Sequence, residues 1–485
     1  MMGMKRHKYR KDEKEEVVNM RLKNVFFHSF WFEFEQKYIV YDYKHAVAME
    51  VSKKMYDDLC KMEDDAYLDE IENDNINKLI QSDVLAGREK FIPKIKYYDI
   101  VSMSFAPIYG CNFRCKYCFG EHGMSYTGKE KTFSNESVVK AIDYFVFKLF
   151  PDAKLYRLDF VSGGEPLMNF KAVKTAVEYV EFVREEYKKN IQIWLCTNGS
   201  LLSKDICTYL DKKGVSIGVS IDGEKTCHNS NRIDENGNGT YELVVKKVKS
   251  ILNDKDLSKK FRRVWILSVV SEKNFSFVSI MKHHINLGIR NMQMKLIRQK
   301  TNKFKAQDIE KEYYLLYRFL KKKFILGELD YFYSILNEND YFGKILKRVL
   351  QGRLYDRRCM AGVKKVSICP DGSIYPCDSF VGMKEMLLGN IFDSNADLEK
   401  FSLFNVDKRK PCSDCEIKYI CGGDCYYNSY IKGGQISSPD TVFCEIQKYI
   451  VRLCIVLKLD MERYNANRLD KIVKGVNFID DYNKV

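Results

Sequence analysis

Along residues 99–298, short runs of alternating apolar and polar positions are separated by longer stretches of helical spacing. DIVSMSFAPI (99–108), YRLDFVSGG (156–164), IQIWLCTNG (191–199), VSIGVSIDG (215–223), RRVWILSVVS (262–271) and NMQMKLIR (291–298) read as strands. Between them, residues 133–150, 169–189, 203–214, 240–254 and 277–288 carry the i, i+3, i+4 pattern of amphipathic helices, with Ser134 or Asn135 as the cap of the first. Strands that alternate with helices predict an α/β fold with a parallel sheet, here a partial (β/α)6 TIM-type barrel over 99–300. In such a barrel the reactive residues belong at the carboxyl ends of the strands.

The flanking pattern differs. Residues 26–51 are aromatic and β-branched with partial alternation, and Glu35-Gln36-Lys37 reads as a hairpin turn. Residues 53–64 and 67–82 carry helical spacing, so residues 20–95 are expected to form a small winged-helix-like module behind a charged tail, 1–19. GREKFIPKIKYY (87–98) reads as the linker into the barrel. Residues 301–354 read as a helical bridge. Residues 355–450 are loop-rich and cysteine-rich, too poor in apolar runs for a large core without cross-links. Residues 451–485 read as a C-terminal helix and tail that begins inside that region, at EIQKYIVRLCIVLKL.

Composition narrows the class. At about 150 residues per domain, 485 residues suggest roughly three domains. Apolar runs are broken by charge before bilayer length, and the N-terminus lacks the apolar core of a signal peptide. The expectation is a cytoplasmic protein with no membrane partner. The net charge of +14 favours acidic partners, although a lysine-rich solvated surface accounts for most of it. No dense Lys/Arg block with interleaved aromatics marks a nucleic-acid groove, so no nucleic acid is expected.

Sixteen cysteines are many for a reducing compartment and point to metal or redox chemistry. Cys111, Cys115 and Cys118 form a C-x3-C-x2-C group just after the first barrel strand. Three thiolates on one loop hold three corners of a [4Fe–4S] cube and leave one iron open. The alternative is a zinc site with a distant fourth ligand, although structural zinc usually takes paired C-x2-C units. Cys60, Cys196, Cys207, Cys227 and Cys454 stand alone and read as small buried apolar residues.

CNFRCKYC, with Tyr117 before the last cysteine, resembles the signature of the radical S-adenosylmethionine (SAM) superfamily. The resemblance extends to SGGEPL (162–167), TNG (197–199) and SIDG (220–223), one at each of three further strand ends. It implies that the open iron chelates SAM, which is cleaved to a 5′-deoxyadenosyl radical. It also implies a SAM site of Tyr117, Gly163, Gly164, Glu165, Pro166, Thr197, Asn198, Ser220, Asp222 and Arg232. Within that site Glu165 faces the SAM amino group, Ser220 its ribose and Arg232 its carboxylate. Gly163 and Gly164 permit an approach that a side chain would block.

The later cysteines form a second group. Cys359, Cys369 and Cys377 precede Cys412, Cys415, Cys421 and Cys425, spaced C-x2-C-x5-C-x3-C, and Cys444 closes the set. The order resembles the SPASM extension of radical SAM enzymes, which implies two auxiliary [4Fe–4S] clusters and three in all. Cys359, Cys377, Cys425 and Cys369 fall to the first auxiliary cluster, and Cys412, Cys415, Cys421 and Cys444 to the second. Cys369 is additional to the seven-cysteine pattern and is either a ligand or a plain thiol. Eight cysteines also make two zinc sites when read without the barrel. Asp378, next to Cys377, matches an aspartate proposed as a general base in anaerobic sulfatase maturases; the competing reading is a loop aspartate in an Asx turn.

The N-terminal layout resembles the peptide-recognition element of enzymes that modify ribosomally made peptides, which take a leader peptide as an added strand. A DNA-binding winged helix is the alternative, and the acidic residues between Asp57 and Asp74 would repel phosphate. The expected function is a radical SAM maturase that cross-links a precursor peptide, first as a thioether and second as a carbon–carbon bond. Formylglycine formation by a sulfatase-type maturase and a non-catalytic metal-bearing binding protein are the alternatives. A small acidic flavodoxin or ferredoxin is the expected electron donor to this basic chain.

Overall fold

The structure is a computed structural model that describes residues 29–42, 45–61, 78, 100–161, 163–254, 264–297, 305–393 and 396–482. The charged tail at 1–19, the linker at 87–98 and, except for residue 78, the helix expected at 67–82 lie outside the described residues.

Strands β1 (Ser29–Phe34), β2 (Lys37–Asp42) and β3 (Val47–Val51) form an antiparallel sheet in the order β1-β2-β3, followed by helix α1 (Lys53–Lys61). Glu35 and Gln36 both have positive φ, 48° and 62°, which suits the right-handed twist of a two-residue hairpin. This sheet leans on the far end of the chain. Lys37 pairs with Asp460 at 3.1 Å, Arg463 with Glu50 at 2.6 Å, and Tyr314 donates to Glu35.

The central sheet has nine strands in the order β12-β11-β10-β4-β5-β6-β7-β8-β9. Its parallel body is β4 (Ile100–Phe105), β5 (Leu155–Phe160), β6 (Ile191–Thr197), β7 (Ser216–Ser220), β8 (Val264–Val270) and β9 (Met292–Leu296). These are the six strands expected from the alternation. The helices between them are α2 (Asn135–Asp143), α3 (Phe170–Tyr187), α4 (Lys204–Lys212), α5 (Lys225–Asn231), α6 (Tyr241–Leu252) and α7 (Phe277–Asn286). Ser134 caps α2 and shares a reciprocal capping box with Ser137. The short α5, between β7 and α6, is not evident in the sequence pattern.

Both faces of a parallel sheet are usually apolar because helices cover both. Here only one face is. Met103, Leu158, Phe160, Leu195, Val219 and Ile266 are buried on the helix side. The register puts Ser102 and Ser104 level with Arg157 and Asp159, then Asp159 with Trp194, and Cys196 with Gly218. These residues share the opposite face, and Lys295 of β9 is close enough to act electrostatically on Cys196 of β6. The sheet therefore curves around a polar interior.

The C-terminal third begins with α8 (Ala306–Leu326), α9 (Asp330–Ile335) and α10 (Tyr341–Gln351). β10 (Lys365–Ile368) then pairs in parallel with β4, and β11 (Ser373–Tyr375) and β12 (Gly389–Asn390) extend the edge. The loop-rich region expected from residue 355 is thus joined to the barrel sheet. It also adds aromatic side chains to the core shared with the barrel, with Phe380, Phe401 and Tyr426 packed edge to face. Helices α11 (Tyr426–Gly433) and α12 (Thr441–Tyr482), the latter broken at Asn465, complete the chain. Among the described residues no helix is long and apolar enough to cross a membrane.

Candidate active site at the carboxyl ends of the strands

The loop after β4 carries Cys111, Cys115 and Cys118, and it is held from two sides. On one side the backbone N–H groups of Arg114 and Lys116 donate to the carbonyls of Ile233 and Asn231 at 2.7 and 3.0 Å, which ties the loop to the segment bearing Arg232. On the other side lies the turn after β5. A Cβ on Gly164 would stand 2.1 Å from the Gly110 carbonyl oxygen, and one on Gly163 would stand 2.6 Å from the Ala106 methyl. The close approach that these glycines allow is therefore that of the cysteine loop itself.

Each sulfur of the triad meets a nitrogen donor. Phe113 N and Asn198 Nδ2 point at Cys111 Sγ from 3.4 and 3.7 Å, His122 N at Cys118 Sγ from 3.3 Å, and Arg232 Nη1 at Cys115 Sγ from 3.9 Å. Burial pushes the Cys115 thiol up to about 12 although Arg232 pulls the other way. A thiolate forms here readily only against a cation such as iron. Donors aimed at all three sulfurs suit a cluster with thiolate ligands. Among the described residues no three His, Cys, Asp or Glu side chains converge as a single-ion site; a cubane spaces its thiolates more widely than one ion does.

The expected SAM residues form two braced sets. Glu165, 1% exposed, accepts from Thr197 Oγ1 at 2.6 Å, Asn198 N at 2.7 Å and Leu167 N at 3.2 Å. It thereby caps the turn that starts at Pro166 and links the ends of β5 and β6. Burial pushes its carboxyl up to about 7 against those three bonds. Asn198 passes the link on to Asn112 Oδ1 at 2.9 Å.

The second set is centred on Asp222, fully buried after β7. It accepts from Arg232 Nε at 3.0 Å, from Val269 N at 3.0 Å and from the Tyr117 hydroxyl. The Arg232 guanidinium lies 5.3 Å from the centre of the Tyr117 ring. Burial disfavours its charge, but Asp222, Tyr117 and Cys115 more than offset this and hold its pKa above the usual value. Ser220 ends β7, 8% exposed, beside this set. Asn112 and His122, whose Nε2 lies 3.1 Å from the Cys115 carbonyl, belong to the site although the sequence did not single them out. Their position inside or next to the cysteine motif was the available signal.

The later cysteines separate into sets. The Cys444 thiol is raised by burial and by Cys421, Cys412 and Cys415 around it, so these four gather. The Cys377 thiol, pushed up to about 12 by burial, has Cys425 and Cys359 nearby, so these three gather. Cys369 is placed elsewhere: it is fully buried, 3.3 Å from the Tyr109 hydroxyl, and its other charged neighbour is Asp371. Asp378 accepts from Lys365 Nζ at 3.1 Å. Lys365 stands level with Ser102 on the polar face and also feels Asp159, so Asp378 belongs to the wall of the interior.

Residues 105–253 match the family model for the radical SAM superfamily. The chain is a radical SAM enzyme. It is 26% identical over 343 residues to a cysteine-type anaerobic sulfatase-maturating enzyme of Clostridium perfringens (strain ATCC 13124), covering 65% of this chain and 86% of that one. It is 23% identical over 373 residues to the radical SAM cyclopropyl synthase TigE of Paramaledivibacter caminithermalis, covering 74% of each chain. Among solved structures it resembles native anSMEcpe with bound AdoMet, with a TM-score of 0.58 and 21% identity over 78% of this chain and all of that one. The same protein with AdoMet and the Cp18Cys peptide gives a TM-score of 0.56 at 22% identity. The likeness to these structures concerns the fold; the radical SAM domain itself spans the triad and the strand ends from Gly163 to Arg232.

Proposed function

We propose that this radical SAM enzyme matures a ribosomally made precursor peptide by installing a cross-link, a thioether first and a carbon–carbon bond second. Cys111, Cys115 and Cys118 hold the [4Fe–4S] cluster that binds SAM, and with SAM bound the site supplies a 5′-deoxyadenosyl radical. Arg232 meets the SAM carboxylate: among the described residues its Nη2 donates to no protein acceptor, while Nε is fixed by Asp222. Glu165 holds the strand ends that carry Thr197 and Asn198. Cys359, Cys377 and Cys425 hold one auxiliary cluster, and Cys412, Cys415, Cys421 and Cys444 a second. Asp378, oriented by Lys365, takes the proton lost by substrate.

The observation that carries this reading is the pairing of β10 with β4. It makes the cysteine-rich region one wall of the polar interior beside the triad loop, so a substrate there meets both. That region is needed for an oxidative cross-link and has little use in a redox-neutral epimerisation. The sulfatase maturation and cyclopropyl synthesis carried out by relatives support a peptide or protein substrate. Formylglycine formation is the second reading, favoured by the sulfatase maturases among those relatives. Residues 20–95 are the proposed leader site, a flavodoxin or ferredoxin the proposed electron donor, and the cytoplasm the proposed location.

The deciding experiment is anaerobic reconstitution with SAM, a low-potential reductant and a short cysteine-bearing peptide encoded beside this gene. A cross-linked product loses a pair of hydrogens and, for a thioether, one alkylatable thiol. Deoxyadenosine with an unchanged peptide would reject that substrate class. Exchange of the cysteine sulfur for oxygen would establish the formylglycine reading.

A further inference from the structure

Three cations lie near auxiliary sulfurs: Lys344 near Cys359, Arg348 near Cys421, and Arg358 near Cys421 and Cys425. α10 brings Lys344, Lys347 and Arg348 inward, each no more than 9% exposed. Glu338 answers all three, at 3.8, 3.3 and 4.0 Å. Arg348 also donates through Nη1 to the carbonyls of Ile420 and Cys421 at 2.7 and 3.0 Å.

Arg358 follows in the loop before Cys359 and is half-buried. Its guanidinium is flanked by the rings of Tyr341 and Phe443, 4.7 and 4.8 Å from their centres, and donates to Gln447 Oε1 at 3.3 Å. The charged groups that face it are Cys421, Cys425 and Asp424, with Lys344 and Arg348 behind. Cys421 and Cys425 belong to different proposed clusters, so one guanidinium acts electrostatically on both. The flanking rings displace water and keep the local dielectric low, where a fixed charge acts strongly.

Burying cations costs solvation free energy unless anions meet them. Clusters ligated by thiolates supply negative charge beside Arg358. A nearby positive charge favours the more negative, reduced form of a cluster. Oxidising a substrate radical to a closed-shell product releases one electron and one proton; the electron reduces a cluster by one unit, and Asp378 takes the proton.

We infer that Arg358 raises the reduction potential of the auxiliary iron–sulfur clusters and so suits them to accept that electron. The inference rests on the auxiliary-cluster reading above, and the test separates the two. The background is the full chain with Cys111, Cys115 and Cys118 replaced by alanine, reconstituted anaerobically and titrated by EPR, with and without Arg358→Gln or Arg358→Lys. Glutamine removes the charge and keeps a donor for Gln447; lysine keeps the charge. With iron content unchanged, Arg358→Gln should lower the reduced-to-oxidised ratio at fixed potential about tenfold, which is about 59 mV for a one-electron couple. Arg358→Lys should restore most of it. Full iron with an unmoved potential in Arg358→Gln overturns the inference. Loss of iron from both variants overturns it as well, because Arg358 is then a strut of the loop. A background chain without iron overturns the auxiliary-cluster reading, and the inference falls with it.

Discussion

Glu165 Oε2 accepts the backbone N–H of Asn198 at 2.7 Å across the ends of two neighbouring strands, inside a site where the carboxylate is 1% exposed. A side chain expected to face SAM thus also braces the two strand ends, and its charge has a measurable cost.

That cost predicts a pH dependence. Burial raises the Glu165 pKa to about 7, so the folded chain binds this proton more tightly than the unfolded chain does. The resulting stability is complete below the unfolded carboxylate pKa of about 4.3, shrinks as pH rises towards 7, and is absent above. Denaturant unfolding of the metal-free chain against its Glu165→Gln variant should show the native chain losing stability relative to the variant over that window, by at most about 4 kcal/mol at 1.36 kcal/mol per unit. A difference independent of pH would show that Glu165 is ionised throughout.

Arg232 and Asp222 should behave as one unit. Arg232→Gln leaves a fully buried carboxylate without its partner, a change that typically costs about 3–5 kcal/mol. Asp222→Asn in the same chain should recover part of the loss. A double-mutant cycle on unfolding midpoints checks this, and strictly additive losses would mean that the pair is not coupled.

Gly164→Ala should dislodge the triad loop, because the new methyl meets the Gly110 carbonyl at 2.1 Å. The expected result is loss of the SAM-cluster iron and retention of the auxiliary iron, read by iron analysis and EPR. Gly237 has nothing within 4 Å of its added Cβ, so Gly237→Ala should leave the iron unchanged and cost stability only through its left-handed φ of 83°.

Cys369 should be dispensable for iron. In the chain without the triad, Cys369→Ala is expected to keep its full iron content, whereas Cys377→Ala loses one cluster. Equal losses from the two variants would return Cys369 to the ligand set.

The hairpin offers a stability gain. Gln36 sits at φ 62°, a conformation that costs an L-residue roughly 1–2 kcal/mol, so Gln36→Gly should raise the unfolding midpoint. Glu35, also left-handed, accepts from the Tyr314 hydroxyl and is better retained.

The barrel was legible because its strands alternate and end on small or polar residues that cannot continue them: Gly163-Gly164, Asn198-Gly199 and Asp222-Gly223. The triad was legible because its three cysteines lie on one loop. What escaped the sequence depends on partners far away in the chain. β10 is only four residues long, KVSI, and becomes a strand by pairing with β4. Cys369 looks like a member of a cysteine series until Tyr109, 260 positions away, is seen against it. The bracing by Glu165 escaped for the same reason: a glutamate in a glycine-rich turn gives no sign that Thr197 and Asn198 will enclose it.

The pairing of β10 with β4 also has a consequence for how the chain is made. Ser367 and Ser104 meet across that seam although 263 positions separate them. Until the ribosome has delivered Lys365, β4 presents an unpaired edge, and such edges recruit other chains. Translation through the whole barrel therefore produces a half-finished, adhesive intermediate, and fragments that stop before residue 365 should precipitate when made alone. Slow delivery of the last third, or its misloading with iron, would harm the solubility of the first two.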